Sequence, residues 1–537
     1  MTAPIIEKIV SALMIPASAL APVEEDPRQV IAQSVTASGD YHFVVSSDFD
    51  GMGNDLVFDI LEALDGDCRG QMVLIVRFNE GADRAVTTPF WKAAPTGTRF
   101  KLWSTGLKVA TATALSALAT EITSSYRTEA DSAYWPRFRM LGMYGDKIAQ
   151  KNISAFDPAL DKFTTEAWDT VPDSGDAFLP VQPLKPSDVS YGMGNTSIPR
   201  ELISDSLDQD GAAIGAQADV LASFSPEIRG LAVAAGDAVQ ANPPGEMHEA
   251  LRALFDQQLD TGDVAQGVPT VNNVPVGTGS RFTQYSLALH ELGDVFAIPL
   301  INGNDLASIP DGHLQNAPVL GDVIYAGANY LPKQTGHESI SMLFWHSRAL
   351  MTLLMGGIPE LKANIESDQI GKYQFAYQFA AGLMADLDQG HDDTYDNSTP
   401  VVGKSNVDRI VLGGEELNGQ VLSAEIMLLD APTKKGAAFG AFENSDGQYY
   451  INRAAGVTMV MQMEDSSHLH RFRAGEEVDF LLQAGRIPTA TWALWAPRAQ
   501  MIAAPEKGSG DGIMQWTIQL GFLRPTDRSA AYTVAHF

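Results

Sequence analysis

Cysteine is almost missing: Cys68 stands alone in 537 residues. A lone thiol excludes an intrachain disulfide framework, so packing or assembly must hold the chain together. Basic residues are scarce as well. The 36 Lys and Arg against 66 Asp and Glu leave a formal charge of -30, and such a surface repels nucleic acid and anionic membranes, which excludes binding through phosphate neutralisation. A wall that DNA must pass without sticking is compatible with that charge. Long apolar runs are absent, the longest being strand-sized and short of the roughly 20 residues of a membrane helix, so no membrane insertion is expected. The N-terminal MTAPIIEKIVSALMIPASALAP carries Ala17-Ser18-Ala19, which superficially suits signal cleavage. Glu7 and Lys8 interrupt its start and its apolar centre is only about seven residues, so it reads as an arm rather than a leader.

Complete catalytic and metal-binding sets are missing too. DFDGMGND places Asp48, Asp50, Gly53 and Asp59 at positions one, three, six and twelve of a calcium loop, but Met52 sits where an oxygen ligand is needed and strands flank it, so the expectation is a turn with solvated acids. His290-Glu291-Leu292-Gly293-Asp294 opens like a zinc protease motif without its second histidine. His468 and His470 share a face of an expected strand and lack a third ligand. Glu477 and Asp479 imitate part of a glycanase triplet whose third carboxylate is replaced by Leu482. Gly192-Met193-Gly194 lacks the preceding strand and following helix of a phosphate loop. No Ser, His and Asp set presents itself as nucleophile, base and orienter. No catalytic residue, metal or cofactor is therefore expected, and no enzyme.

What the chain does have is alternation. Its 45% hydrophobic and 19% charged residues are those of a folded protein of two to four domains. From Tyr330 to Met384 three strands follow one another, and in the last of them Tyr373, Phe375, Tyr377 and Phe379 face one way with Gln374, Ala376 and Gln378 opposite, the period of a half-buried strand. A similar unit returns between Tyr449 and Ile502, with Val457, Met459, Met461 and Met463 on one side, then a polar stretch, then Gly485-Arg486 and TATWALW. Two tandem copies of one β unit follow. The last clean alternation is Met514, Trp516, Ile518, Leu520 and Phe522. The one strong helix is EMHEALRALFDQQL, residues 246–259, with an apolar stripe of Met247, Leu251, Leu254, Phe255 and Leu259.

The expected fold is therefore mainly β. An arm covers 1–37, with a short amphipathic helix over Ile5 to Met14, and a sandwich covers 38–172. A Pro-rich linker follows at 173–199. Two β-sandwich units then fill 200–400, with the flanking helix, and 401–537. The acidic Asp386 to Gly403 is expected as an exposed loop between them.

In the first sandwich RGQMVLIVRF, GTRFKLWSTGLKV and SAYWPRFRMLG, followed by DKIAQKN and TEAWDTV, resemble the laminin-G or concanavalin-like jelly rolls appended to phage structural proteins. That resemblance implies a small β-sandwich and leaves a host-surface glycan open as a ligand, with Trp91, Trp103 and Trp135 (and Trp168) as aromatics able to stack on sugars; aromatics in a sandwich more often serve as core. Over about residues 195 to 537 a second set is similar to the tail tube (major tail) proteins of long-tailed bacteriophages. It comprises RGLAVAAG before PPGEMHEALRALF, Tyr330-x-Pro332 with Gly336-His337, GKYQFAYQFAAG, and APRAQMIAAPEKGSGDGIMQWTIQLGF. This resemblance implies a virion protein made in the host cytoplasm whose sheets join edge to edge with those of sister copies around a lumen for DNA. It also implies contacts with other phage tail proteins and, with two units per chain, trimeric rings of pseudo-sixfold symmetry that stack into a tube, the jelly roll decorating its outside. A distal or tail-tip ring protein and a carbohydrate-binding host-recognition protein stay open as alternatives.

Overall fold

The structure is a computed structural model that describes residues 9–18, 23–24, 30–38, 41–50, 52, 56–92, 94–107, 110–112, 121–123, 138–144, 147–157, 159–160, 162–168, 177–185, 188–198, 214–230, 245–259, 265–266, 273–275, 285–298, 300–302, 305–307, 310, 312–315, 323–333, 336–346, 350–366, 370–386, 407–417, 420–434, 447–451, 454–462, 466–487, 490–510, 512–526 and 530–537. It is mainly β, built from large antiparallel sheets that include a half-barrel.

Strand β1 (Ile9–Ser18) replaces the helix expected near the N-terminus. Ala12 and Met14 enter one hydrophobic cluster and Leu13 and Ile15 another, so this short apolar run is covered on both faces, which a strand permits and a one-sided helix does not. Residues 23–104 form an eight-stranded antiparallel sheet over Phe49, Phe58, Phe78, Phe100 and Trp103. Its members include Val23–Glu24, Val30–Ile31 and Ser34–Ser38, so much of the expected arm is paired. The core beneath this sheet is shared with Leu343, Trp345, Leu353 and Leu383 from the larger sheet, and packing, not a tether, fastens it there.

The Pro-rich stretch is also strand. β2 (Ala177–Leu184) pairs through Val181, Pro180 and Leu179 with Arg139–Tyr144, and through Leu184, Pro183 and Gln182 with β1. Along those two stretches β2 is paired on one side at a time, a setting in which a proline without an N–H costs no ladder bond. Composition reads linker there because it counts prolines and not their pairing.

The rest of the chain contains one topology twice. In the first copy a hairpin, β3 (Val189–Ile198) and β4 (Ile214–Phe224), leads to α1 (Gly245–Leu254), β5 (Phe255–Leu259) and β6 (Ala328–Pro332). Strand β7 (Ser339–His346) pairs with β1, and a second hairpin, β8 (Leu350–Glu366) and β9 (Lys372–Phe379), completes the copy. After β10 (Val407–Leu412) the second copy follows. Its hairpin is β11 (Val421–Leu429) and β12 (Gly456–Gln462), followed by α2 (Ser467–Ala474), β13 (Glu477–Ala484) and β14 (Trp492–Met501). The closing hairpin is β15 (Glu506–Gly510) and β16 (Ile513–Phe522), before β17 (Thr533–His536).

In both copies the second strand pairs with the last, β4 with β9 and β12 with β16. The strand after the helix pairs with the next one, β5 with β6 and β13 with β14. The copies fuse twice: β8 pairs with β11, and β17 lies between β6 and β14.

The helix expected over 246–259 stops at Leu254. Met247, Ala250, Leu251 and Leu254 are buried as the stripe requires, but Lys333 Nζ donates to the Arg252 carbonyl at 2.9 Å and Lys333 N to that of Leu254 at 3.1 Å, closing the helix end. The backbone then turns into β5, where Phe255 meets the rings of Tyr330 and Tyr532. His468 and His470 sit on α2, not on a strand. Gly475 at φ 62° ends that helix, its N–H reaching the Arg471 and Phe472 carbonyls, a left-handed cap that glycine adopts without strain.

Candidate functional site: a shared sheet with two open edges

Following the pairings gives one antiparallel sheet through both copies in the order β3-β4-β9-β8-β11-β12-β16-β15. One face is core. Tyr373, Phe375, Tyr377 and Phe379 of β9 and Trp516, Ile518, Leu520 and Phe522 of β16 point into it, with Val457, Met459 and Met461 between them. Alternation then commits every second residue to the other face, which is open and carries short neutral groups: Ser190, Ser223, Gln374, Gln378, Asn364, Thr458, Gln519, Thr517 and Gln515.

At the centre of that face opposite charges meet. Lys362 on β8 lies 3.2 Å from Glu360 and 3.3 Å from Glu425 on β11, so this ion pair spans the junction of the two copies. Burial works against the Lys362 ammonium, but hydrogen bonds and charge from Glu360 and Glu425 outweigh it and hold its pKa above the ordinary lysine value.

The ends of the sheet are the unusual part. Among the described residues β3 pairs only with β4, and β15 only with β16. An exposed ladder edge is a template for another strand. Large apolar side chains lie exposed beside both ends: Leu221 near β3, and Ile502, Ile513 and Met514 near β15. Next to β3 the open face also carries a groove of about 420 Å³ between Ser190, Gly192, Leu221, Glu360 and Gln378.

The sequence-derived candidates fall elsewhere. Asp48 sits in a short 3-10 turn, where its Oδ2 accepts from Ile31 N at 2.8 Å and Ser46 Oγ at 3.2 Å. Asp50 is exposed, while Asp59 is buried and its Oδ1 accepts from Thr105 N at 2.9 Å. The Asp48 and Asp59 carboxylates serve different local bonds, and among the described residues no group of three or more His, Cys, Asp or Glu is placed to hold a metal. Asp48→Ala is expected to cost about 1–2 kcal/mol, the loss of charge-assisted bonds to a loop. Denaturant melts with and without added calcium should give the same difference, and a calcium-dependent difference would revive the metal reading.

Of the tryptophans, Trp91 is 86% exposed with Lys92 Nζ 5.3 Å from its ring centre. Trp103 is buried, donating from Nε1 to Glu62 Oε2 at 2.8 Å, and Trp168 is buried against Phe178. Trp135 lies outside the described residues, as does the acidic loop beyond Asp386. Glu477 is paired with Arg498, whose Nη2 lies 2.8 Å from its Oε2.

Sequence reasoning missed a buried ionic clamp. Arg409 on β10 is fully buried; its Nη1 lies 3.3 Å from Asp294 Oδ1 and donates to the His313 carbonyl at 2.7 Å, and its Nε donates to Glu416 Oε1 at 3.1 Å. His313 Nδ1 accepts from Ala297 N at 3.2 Å, so the neutral ring carries its proton on Nε2 and donates to Asp479 Oδ2 at 2.8 Å. Gln483 accepts from Val295 N at 2.9 Å and donates to the Gly293 carbonyl at 2.6 Å. Thus HELGD and Asp479 both belong to a clamp that fastens the 287–297 hairpin to the second copy. The available signal was Arg409 at an inward position of the alternating VDRIVL.

No family model matches the chain, and no curated protein matches it either.

Proposed function

We propose that this chain is a self-assembling structural subunit whose copies join edge to edge through the shared sheet into rings, which stack as the tail tube of a long-tailed bacteriophage. The supporting observation is the eight-strand sheet with two open ends. Every neighbouring pair in it is antiparallel, so with an even number of strands its two edge strands run in opposite senses. The β15 edge of one copy therefore meets the β3 edge of the next as another antiparallel pair, and head-to-tail repetition of such a contact generates a closed ring. A dimer made of two identical edges would leave the other edge of each copy exposed.

Three chains of eight strands give a barrel of about 24 strands. At about 4.8 Å per strand and a tilt of about 40°, its backbone diameter is about 48 Å, a pore and not a side-chain-filled core. The open face of the sheet then lines the lumen. Its Gln, Ser, Thr and Asn residues dilute the charge of that lining, where Lys362 and Lys372 stand among Glu360, Glu425 and Glu506. Neutral amides and hydroxyls neither attract nor strongly repel a phosphate backbone, which suits passage without binding.

Sedimentation and negative-stain microscopy over a range of concentrations test the reading. Rings or hollow rods are expected, and a dispersed monomer at every concentration and salt would overturn it. One observation favours a glycan-binding role for the first domain beside this: the exposed ring of Trp91. Loss of glycan-array binding in Trp91→Ala would support it, and a blank array with the unaltered chain would end it.

A further inference from the structure

The duplication inside the chain supplies a template for the contact between chains. In the first copy the four inward residues of β9 run from Tyr373 to Phe379, and in the second those of β16 run from Trp516 to Phe522. Both sets begin and end on an aromatic, which fixes one superposition of the two strands. The pairings then carry the equivalence across the sheet. Lys362 and Asn364 of β8 face Gln374 and Lys372; Glu506 and Gly508 of β15 face Thr517 and Gln515. Glu506 therefore stands for Lys362, and Gly508 for Asn364. On the other side Ser190 and Gly192 of β3 reach Ala376 and Gln378 through Ser223 and Leu221, as Glu425 and Met427 of β11 reach Gln519 and Gly521 through Thr458 and Gly456. Ser190 thus stands for Glu425, and Gly192 for Met427.

The internal seam pairs Lys362 with Met427 and Asn364 with Glu425. We infer that the seam between chains repeats this register, with Glu506 of one copy opposite Gly192 of the next and Gly508 opposite Ser190; the inference rests on the ring reading above. Nothing in this register is sterically or electrostatically opposed. A Cβ added at Gly508 or Gly192 meets no atom within 4 Å of its own chain, so both edges are open to an incoming strand. Glu506 comes beside the Ser190 hydroxyl, where its counterpart Lys362 meets the carboxylate of Glu425, so no like charges face each other. The core-side flank of β15 also lacks the cover its counterpart enjoys. Ala363 and Ile365 of β8 are buried by the second copy, whereas Lys507 and Ser509 are exposed and Met514 beside them is half-exposed. In this register the neighbouring chain brings Val189 and Tyr191 over them.

Cysteine pairs read the register directly, because the natural Cys68 is buried. The full-length double variant Ser190→Cys/Gly508→Cys, oxidised under conditions where rings form, is expected to give disulfide-linked multimers that end at a closed ring. Cross-strand neighbours bring Cα atoms within the range a disulfide tolerates. A second pair, Gly192→Cys/Glu506→Cys, tests the same register should the first variant fold poorly. The offset pair Ser190→Cys/Gly510→Cys, displaced by two residues or about 7 Å along the strand, should stay unlinked. Rings that link through the offset pair and not the other two would overturn the register and leave the ring reading intact. Linking by Ser190→Cys alone would overturn it in favour of a symmetric contact between like edges. A chain that forms neither rings nor links would fail at the ring reading itself.

Discussion

Arg409→Ala is expected to destabilise the second copy by about 3–5 kcal/mol, the range for stripping one partner from a buried ion pair. The Arg409 and Asp294 side chains are 0% and 2% exposed. Without the guanidinium, Asp294 keeps the Gln315 N–H at 3.0 Å but has no positive charge to offset its desolvation, and the His313 carbonyl loses its donor. Removing the acid as well should therefore help: Asp294→Asn in the Arg409→Ala background is expected to restore about 1–2 kcal/mol, since a neutral amide costs less to bury than a carboxylate. Urea titration followed by tryptophan fluorescence checks both, because Trp495 packs with Leu287, Val295, Val411 and Leu481 in the cluster beside the clamp. If the single and double variants unfold at the same midpoint, the buried charge on Asp294 is not what the arginine balances.

This clamp shows where reading the sequence stops. Alternation identified the strands that build the core, and Tyr373–Phe379 and Trp516–Phe522 lie with the expected face inward, while Met514 at the start of the second is exposed. Alternation does not fix which strand of one copy corresponds to which of the other, since every such strand has the same period. The repeat was therefore expected between Tyr449 and Ile502, with its alternating strand at Val457–Met463, whereas the pairings make Trp516–Phe522 the counterpart of Tyr373–Phe379. The intervening helix α2 was hidden because SHLHRFRA is short and polar, and its end is marked only by the conformation of Gly475. Prolines misled in the opposite direction at 177–184, where strand pairing tolerates them. Asp479, Asp294 and Arg409 lie far apart in the chain; only the fold brings them together, so a search for motif spacing could register fragments of the clamp but not its purpose. The open edges were invisible for a related reason, because an edge is defined by the strands that do not arrive.

Acid should weaken the junction of the two copies. His536 lies on β17, the strand inserted between β6 and β14, and it is fully buried in a chain of neutral hydrogen bonds. Its Nδ1–H donates to the Arg229 carbonyl at 2.8 Å, its Nε2 accepts from Tyr373 OH at 3.0 Å, and that phenol oxygen accepts from Trp492 Nε1 at 2.7 Å. Tyr330 stands edge-on to the ring. Arg229 is the charged residue nearest in this chain of bonds, and its guanidinium is directed to Glu227 at 3.1 Å. Burial lowers the His536 pKa from 6.5 to about 4, only partly opposed by the bond to the Arg229 carbonyl, and burial likewise pushes the Tyr373 phenol up, so both stay neutral at ordinary pH. An unfolded chain protonates this histidine first as the pH falls. The stabilisation is therefore complete above about pH 6.5 and is lost as the pH drops towards about 4, for a total of about 3 kcal/mol. Half-buried His42, whose pKa is also lowered by burial, acts in the same direction. His536→Asn should start from lower stability at pH 7.5, because it reproduces the bonds imperfectly, and then lose less than the unaltered chain between pH 6.5 and 4. Equal losses in the two proteins, measured by urea midpoints across that window, would show that protonation of His536 is not what loosens the seam between the copies.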